Sequence, residues 1–232
     1  MALRWADGYQ YGLADDGAEY SMTLLGVLLT PTRFYAFADG RSERPGPRFG
    51  DTFEHDKFTH TQGEPVAWGV IGNPDVAISF GKSLENPHQS TWPVFASGIR
   101  AKWFAIRYTQ LVELRVCLGL PPNSHLSAEV PTPANTVVVT GFVGDEPGIT
   151  VAGAGPDERS TETEPGLYAF GPWRSCVYAA WAAVRRHKTN AKITKPKAMR
   201  DLLEPVVDSL KGLYLPVNIW EITPDGEFTK LP

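Results

Sequence analysis

The stretch MTLLGVLLTPTRFYAFADGR, Met22 to Arg41, constrains the fold of this chain more than any other. Thr23–Leu29 and Arg33–Ala38 are apolar runs of strand length. Pro31 between them cannot continue a central ladder, so TPT is a turn and the two runs are a hairpin. A polar residue stands at each end of it, Thr23 at the start and Asp39 at the close. Each is either an ordinary strand-end residue or part of a site.

Turn signals continue along the chain. SERPGPRFGD is a loop, Phe53–Thr61 alternates weakly, and Val66–Ile71 is a short buried-type run closed by Gly72, Asn73 and Pro74. The first third therefore reads as an antiparallel sheet. The periodicity then changes. Asp75–Leu84 puts Val76, Phe80 and Leu84 on one helical face, and Val94–Leu118 carries Phe95, Ile99, Trp103, Ile106, Leu111 and Leu114 at near-helical spacing. GLPPNSHLSAEVPTPAN ends that helix in a Pro-rich excursion. Thr136–Val143, the turn GDEPG and Ile149–Ala154 make a hairpin, and Leu167–Gly171 is a short strand. Ser175–Arg186 and Lys197–Leu210 are helices, and Tyr214–Ile222 and Glu227–Leu231 flank TPDG as a final hairpin. Strand blocks separated by helix pairs predict two stacked sheets with helices outside, an α+β four-layer α/β/β/α sandwich.

The totals exclude several function classes. A chain of 232 residues fits one large domain, and a net charge of −4 does not suit a generic nucleic-acid binder. Basic residues gather at Arg185–Arg200, which reads as a solvated connection between helices or a contact for an acidic partner. Cys117 and Cys176 lack paired spacing, and the five His are scattered, so neither a disulfide framework nor a metal site is expected. GVIGNPD and VAGAGP have too few features for a phosphate or dinucleotide loop, so no cofactor is expected. No window approaches the ~18 continuous apolar residues of a membrane span. The amino terminus has neither a basic start nor an apolar signal core, so the expected compartment is the cytoplasm. Residues 1–21 read as an extension or propeptide-like segment, and residues 22–232 as the domain. Trp173, Trp181 and the Trp92–Trp103 region are expected to pack internally or at subunit contacts.

TLLGVLL, FYAFADGR, the Lys after the next loop, WGVIGNPD, NTVVVTGF, LYAFG and VVDSLKGLYLPVNIWEITPDG follow one another from about Met22 to Leu231. In that order and spacing they resemble a divergent member of the proteasome β-subunit family, within the N-terminal-nucleophile hydrolases. The resemblance implies a Thr nucleophile at a mature amino terminus, unmasked when the precursor cuts itself, whose α-amine serves as base. It also implies an Asp closing the second strand and a Lys whose charge eases loss of the hydroxyl proton. Carried over residue by residue, these are Thr23, Asp39 and Lys57, with Asp208 in the supporting shell. The implied substrate is a peptide or amide, and the implied assembly a homo-oligomer, with a ring possible.

Two registers are open. The Thr23-to-Asp39 separation favours Thr23 as nucleophile, whereas alignment on Gly26 puts Met22 there and adds one residue to the turn. The sequence also departs from the family. Met22 replaces the Gly expected before the nucleophile, Gly171-Pro172-Trp173 replaces a Gly-Ser-Gly stretch, and Lys211 replaces a Ser three residues after Asp208, although Gly212 is kept. The resemblance thus implies a threonine-type hydrolase made as a self-processing precursor, and the departures imply the alternative, an inactive homologue serving as an assembly or binding subunit. Without the resemblance, Asp39 is a turn residue with a surface ion pair, and Lys57, His55 and His60 are polar residues of an edge strand.

Overall fold

The computed structural model describes residues 23–30, 32–43, 52–54, 56–60, 63–71, 80, 91–126, 136–153, 161–171, 174–187, 196–210 and 213–232. The expected helix at Asp75–Leu84, except for Phe80, and residues Met22, His55, Pro172, Trp173, Lys211 and Gly212 lie outside them.

The opening hairpin forms as its apolar runs dictate. β1 (Leu25–Leu29) and β2 (Phe34–Ala38) pair antiparallel with Leu25 opposite Ala38 and Leu29 opposite Phe34. The turn is closed by Thr30, whose backbone N–H and hydroxyl both donate to the Arg33 carbonyl. β1 begins two residues later than its apolar run, because Thr23 and Leu24 lie beyond the paired ladder. On one flank β1 pairs with β10 (Gly166–Phe170), and on the other β2 pairs with β11 (Asn218–Ile222). β12 (Phe228–Leu231) completes a five-stranded antiparallel sheet in the order β10-β1-β2-β11-β12.

A second five-stranded antiparallel sheet runs β5-β6-β7-β8-β9, from Phe58–His60, Val66–Ile71, Thr136–Val143, Glu146–Ala152 and Thr161–Glu162. A two-stranded ribbon, β3 (Arg41–Glu43) with β4 (Thr52–Glu54), stands apart from both sheets. Three helices are described: α1 (Trp92–Cys117), α2 (Arg174–His187) and α3 (Pro196–Asp208). None of them is long and apolar enough to cross a membrane.

Strand alternation sorts the core into three regions. Leu25, Val27 and Leu29 of β1 join Phe34 and Ala36 of β2, Val138 and Phe142 of β7, and Trp220 of β11 between the two sheets. Leu28, with Tyr35 and Phe37, points the other way, against Val177 of α2 and Met199, Leu203 and Val207 of α3. On the far face of the second sheet, Val137 and Val139 meet Trp92, Phe95, Ile99 and Trp103 of α1. Both central strands of the hairpin are buried throughout because each face has its own cover. Trp92 and Trp103 are thus packing residues, and Trp92 also donates its indole N–H to the Glu146 carbonyl at 2.6 Å.

Candidate active site

Three of the four expected site residues come from strand ends in different sheets. Thr23 lies two residues before β1, Asp39 follows β2, and Lys57 immediately precedes β5 of the second sheet. The antiparallel pairing that sets Leu25 opposite Ala38 brings Asp39 next to Leu24. There the Leu24 N–H donates to Asp39 Oδ1 at 2.9 Å, and the Asp39 N–H donates back to the Leu24 carbonyl at 3.3 Å. Asp39 Oδ2 accepts from Lys57 Nζ at 2.7 Å. The same Nζ reaches Thr23 Oγ1 at 3.4 Å, near the outer limit of a hydrogen bond.

All three are buried, with Asp39 at 0%, Thr23 at 5% and Lys57 at 6% exposure. The Asp39–Lys57 pair is therefore no surface ion pair. Burial pushes the Asp39 carboxyl above its ordinary range, opposed by the Lys57 charge and by the hydrogen bonds that it accepts. Burial likewise pushes the Lys57 ammonium down, opposed by Asp39. The result is a cation held at one end by a carboxylate, with its other side on a hydroxyl. Such a group can stabilise negative charge developing on Thr23 Oγ1, and once deprotonated it can accept a proton from it.

Close backbone approaches hold this geometry. Gly171 follows β10 with φ of +104°, and a Cβ there would lie 2.4 Å from the Thr23 carbonyl oxygen. Only a residue without a side chain can approach the Thr23 carbonyl so closely in that backbone conformation. Gly40 serves the exit of β2: a Cβ would lie 2.3 Å from the Pro216 carbonyl oxygen, and its N–H donates to the Tyr214 carbonyl at 2.7 Å. The glycine of ADGR is thus a contact with the 214–216 segment. The Leu24 N–H and the Tyr214 carbonyl are backbone groups, which carry no signal in residue type.

Asp208 stands apart. It is exposed at the last position of α3, and no hydrogen bond or ion pair ties it to Thr23, Asp39 or Lys57. His60 is half-buried on the edge strand β5, its ring stacked 4.2 Å from that of Phe228 across the two sheets. Among the described residues, no cluster of three or more His, Cys, Asp or Glu is placed to hold a metal ion.

No family model matches this chain, and no curated protein matches it in sequence. In structure it is similar to BPH of Thiobacillus denitrificans, a bacterial proteasome-like protein solved in complex with epoxomicin. The two are 14% identical and superpose with a TM-score of 0.54, over 86% of this chain and 98% of that one. At that identity the likeness is one of fold.

Proposed function

We propose that this chain is a proteasome-like, threonine-type hydrolase of amide and peptide bonds, made as a precursor and acting through Thr23. The observation that carries the reading is the buried line Asp39–Lys57–Thr23, in which one ammonium touches both a carboxylate and a hydroxyl. The likeness of fold to BPH supports it, and the reading assumes a four-layer α/β/β/α arrangement.

In the chain as it stands the Thr23 nitrogen is an amide, which is no base. Cleavage between Met22 and Thr23 would free an α-amine at hydrogen-bonding range of its own hydroxyl. Thr23 Oγ1 then attacks the substrate carbonyl carbon while its proton passes to that amine. Lys57 stabilises the charge on the oxygen, and Asp39 keeps Lys57 in place. Collapse of the tetrahedral adduct expels the amine of the substrate, which takes the proton, and leaves an ester on Thr23. Water then hydrolyses the ester. Asp208 belongs to this scheme only by resemblance, and an unchanged rate in Asp208→Asn removes it.

Intact mass and inhibitor labelling test the reading. The expected outcome is a chain beginning at Thr23 that gains the mass of epoxomicin, hydrolyses amide substrates in the cytoplasmic pH range, and loses both properties in Thr23→Ala. A fall of at least ~10³-fold is expected, since the nucleophile supplies the covalent step. A full-length chain that takes no label and cleaves nothing overturns it. That result would favour the second reading, an inactive homologue serving as an assembly or binding subunit. The 5% exposure of Thr23 in the uncut chain is what speaks for that alternative.

A further inference from the structure

Lys57 sits in a run whose neighbouring members are held by the opposite sheet. Phe58, on one side of it, packs its ring 5.8 Å from that of Trp220 of β11. Asp56, on the other side, accepts from Lys230 Nζ of β12 at 2.7 Å. Trp220 and Lys230 stand directly opposite each other in the β11–β12 ladder, so their side chains share one face. The Lys230 ammonium lies 5.7 Å from the centre of the Trp220 ring, within range of attraction by its face. One cross-strand pair thus reaches both residues that flank Lys57. Two residues from Lys230 on that face, Phe228 stacks on the Trp220 ring at 6.2 Å and on His60 at 4.2 Å.

The segment has little other hold. β5 is three residues long at a sheet edge, with β6 as its only ladder partner. That ladder begins at Phe58, so Asp56 and Lys57 lie beyond it. Lys57 must nevertheless serve two partners at once, Asp39 at 2.7 Å and Thr23 at 3.4 Å. The second contact is already near the outer limit of a hydrogen bond, so a small slide of the segment would break it.

We propose that the hairpin β11–β12 clamps the 56–60 segment, and that Lys230 is a positioning residue for Lys57 through its ion pair with Asp56. The pair is half-exposed, at 48% for Lys230 and 56% for Asp56, which keeps it to the strength of a surface pair. It tunes the placement of Lys57 and does not hold the chain folded. Its bearing on catalysis rests on the function proposed above; the placement of Lys57 does not.

Reductive methylation of the full chain with formaldehyde and cyanoborohydride, followed peptide by peptide by mass, measures how often the buried Lys57 becomes accessible. Lys230→Met removes the cation and keeps an unbranched stem, and Asp56→Asn removes its partner. Each is expected to raise the Lys57 rate about two- to fivefold, the range that an exposed pair supports. The double variant is expected to raise it no further than either change alone. Lys230→Arg keeps the cation and is expected to keep the original rate. Amide exchange at Val138 and Val139, inside the second sheet, is expected to stay unchanged. An unchanged Lys57 rate in both single variants, or additive effects in the double variant, overturns the proposal. So does a rise matched by faster exchange at Val138 and Val139, which would be general loosening. Turnover is a separate measurement: if Thr23 acts as proposed, Lys230→Met lowers kcat about two- to fivefold with KM unchanged. A chain with no turnover counts against that function, and the labelling rates still decide the clamp.

Discussion

Lys57 is the residue whose environment does most to define this molecule. A buried cation with a single carboxylate partner makes each member of the pair costly to remove alone. Asp39→Ala should destabilise the protein by about 3–5 kcal/mol in urea unfolding, because it strands the ammonium. Asp39→Asn with Lys57→Met should recover most of that loss, since the pair carries its own desolvation cost. The pH dependence follows from the directions of the shifts. Native Asp39 holds its proton more readily than the unfolded chain does, so its contribution to stability falls as pH rises from the ordinary carboxylate value to the raised one. Native Lys57 releases its proton more readily, so its contribution grows as pH rises from the lowered value to the ordinary ammonium value. Between those windows the ionised pair is least favoured. The doubly substituted protein should therefore gain most on wild type there, with the difference shrinking toward both extremes. A difference that is flat with pH would contradict this.

At the scale of elements, glycine contacts decide whether Thr23 stays in place. Gly171→Ala forces a Cβ against the Thr23 carbonyl in a backbone conformation that side chains resist. Its expected cost is about 1–3 kcal/mol in thermal unfolding, with activity falling further than stability explains. The edge strand β10 is secured from the other side by α2, where the Ala169 N–H donates to the Tyr178 hydroxyl at 2.9 Å. Tyr178→Phe leaves that N–H without its acceptor and should cost about 1–3 kcal/mol, read as faster amide exchange at Ala169. These elements were largely legible in the sequence. α1 was expected at Val94–Leu118 and spans Trp92–Cys117, and β6 and β7 match their expected ranges. Apolar periodicity reports burial directly, so the elements that pack best were the clearest. The ribbon β3–β4 and the two-residue β9 carry too few apolar positions to show a period. At the site, Asp39 and Lys57 were legible as types in a resembling order. Their meeting depends on how two sheets stack, which no local pattern records. Nor does the sequence announce that Gly40 answers to Pro216, far along the chain.

For the whole molecule, the joint between the sheets matters most. Thr23 and Asp39 belong to one sheet and Lys57 to the other, so the site exists only while the two keep their alignment. Trp220 fills that joint, almost fully buried, with its ring 5.8 Å from Phe58 across the sheets. Trp220→Ala should lower stability by about 3–5 kcal/mol, and any catalysis should disappear before global unfolding as urea is raised. Loss of both in one transition would show that the joint does not yield separately. The ion pair across this joint has a consequence for lineages of such proteins. A descendant that gave up the Thr23 hydroxyl could still not lose Asp39 or Lys57 alone without stranding the buried charge of the other. Selection for mere integrity would preserve that pair long after any turnover had ceased. Asp39 and Lys57 are thus poor witnesses to activity, and among these three residues only Thr23 would be free to drift.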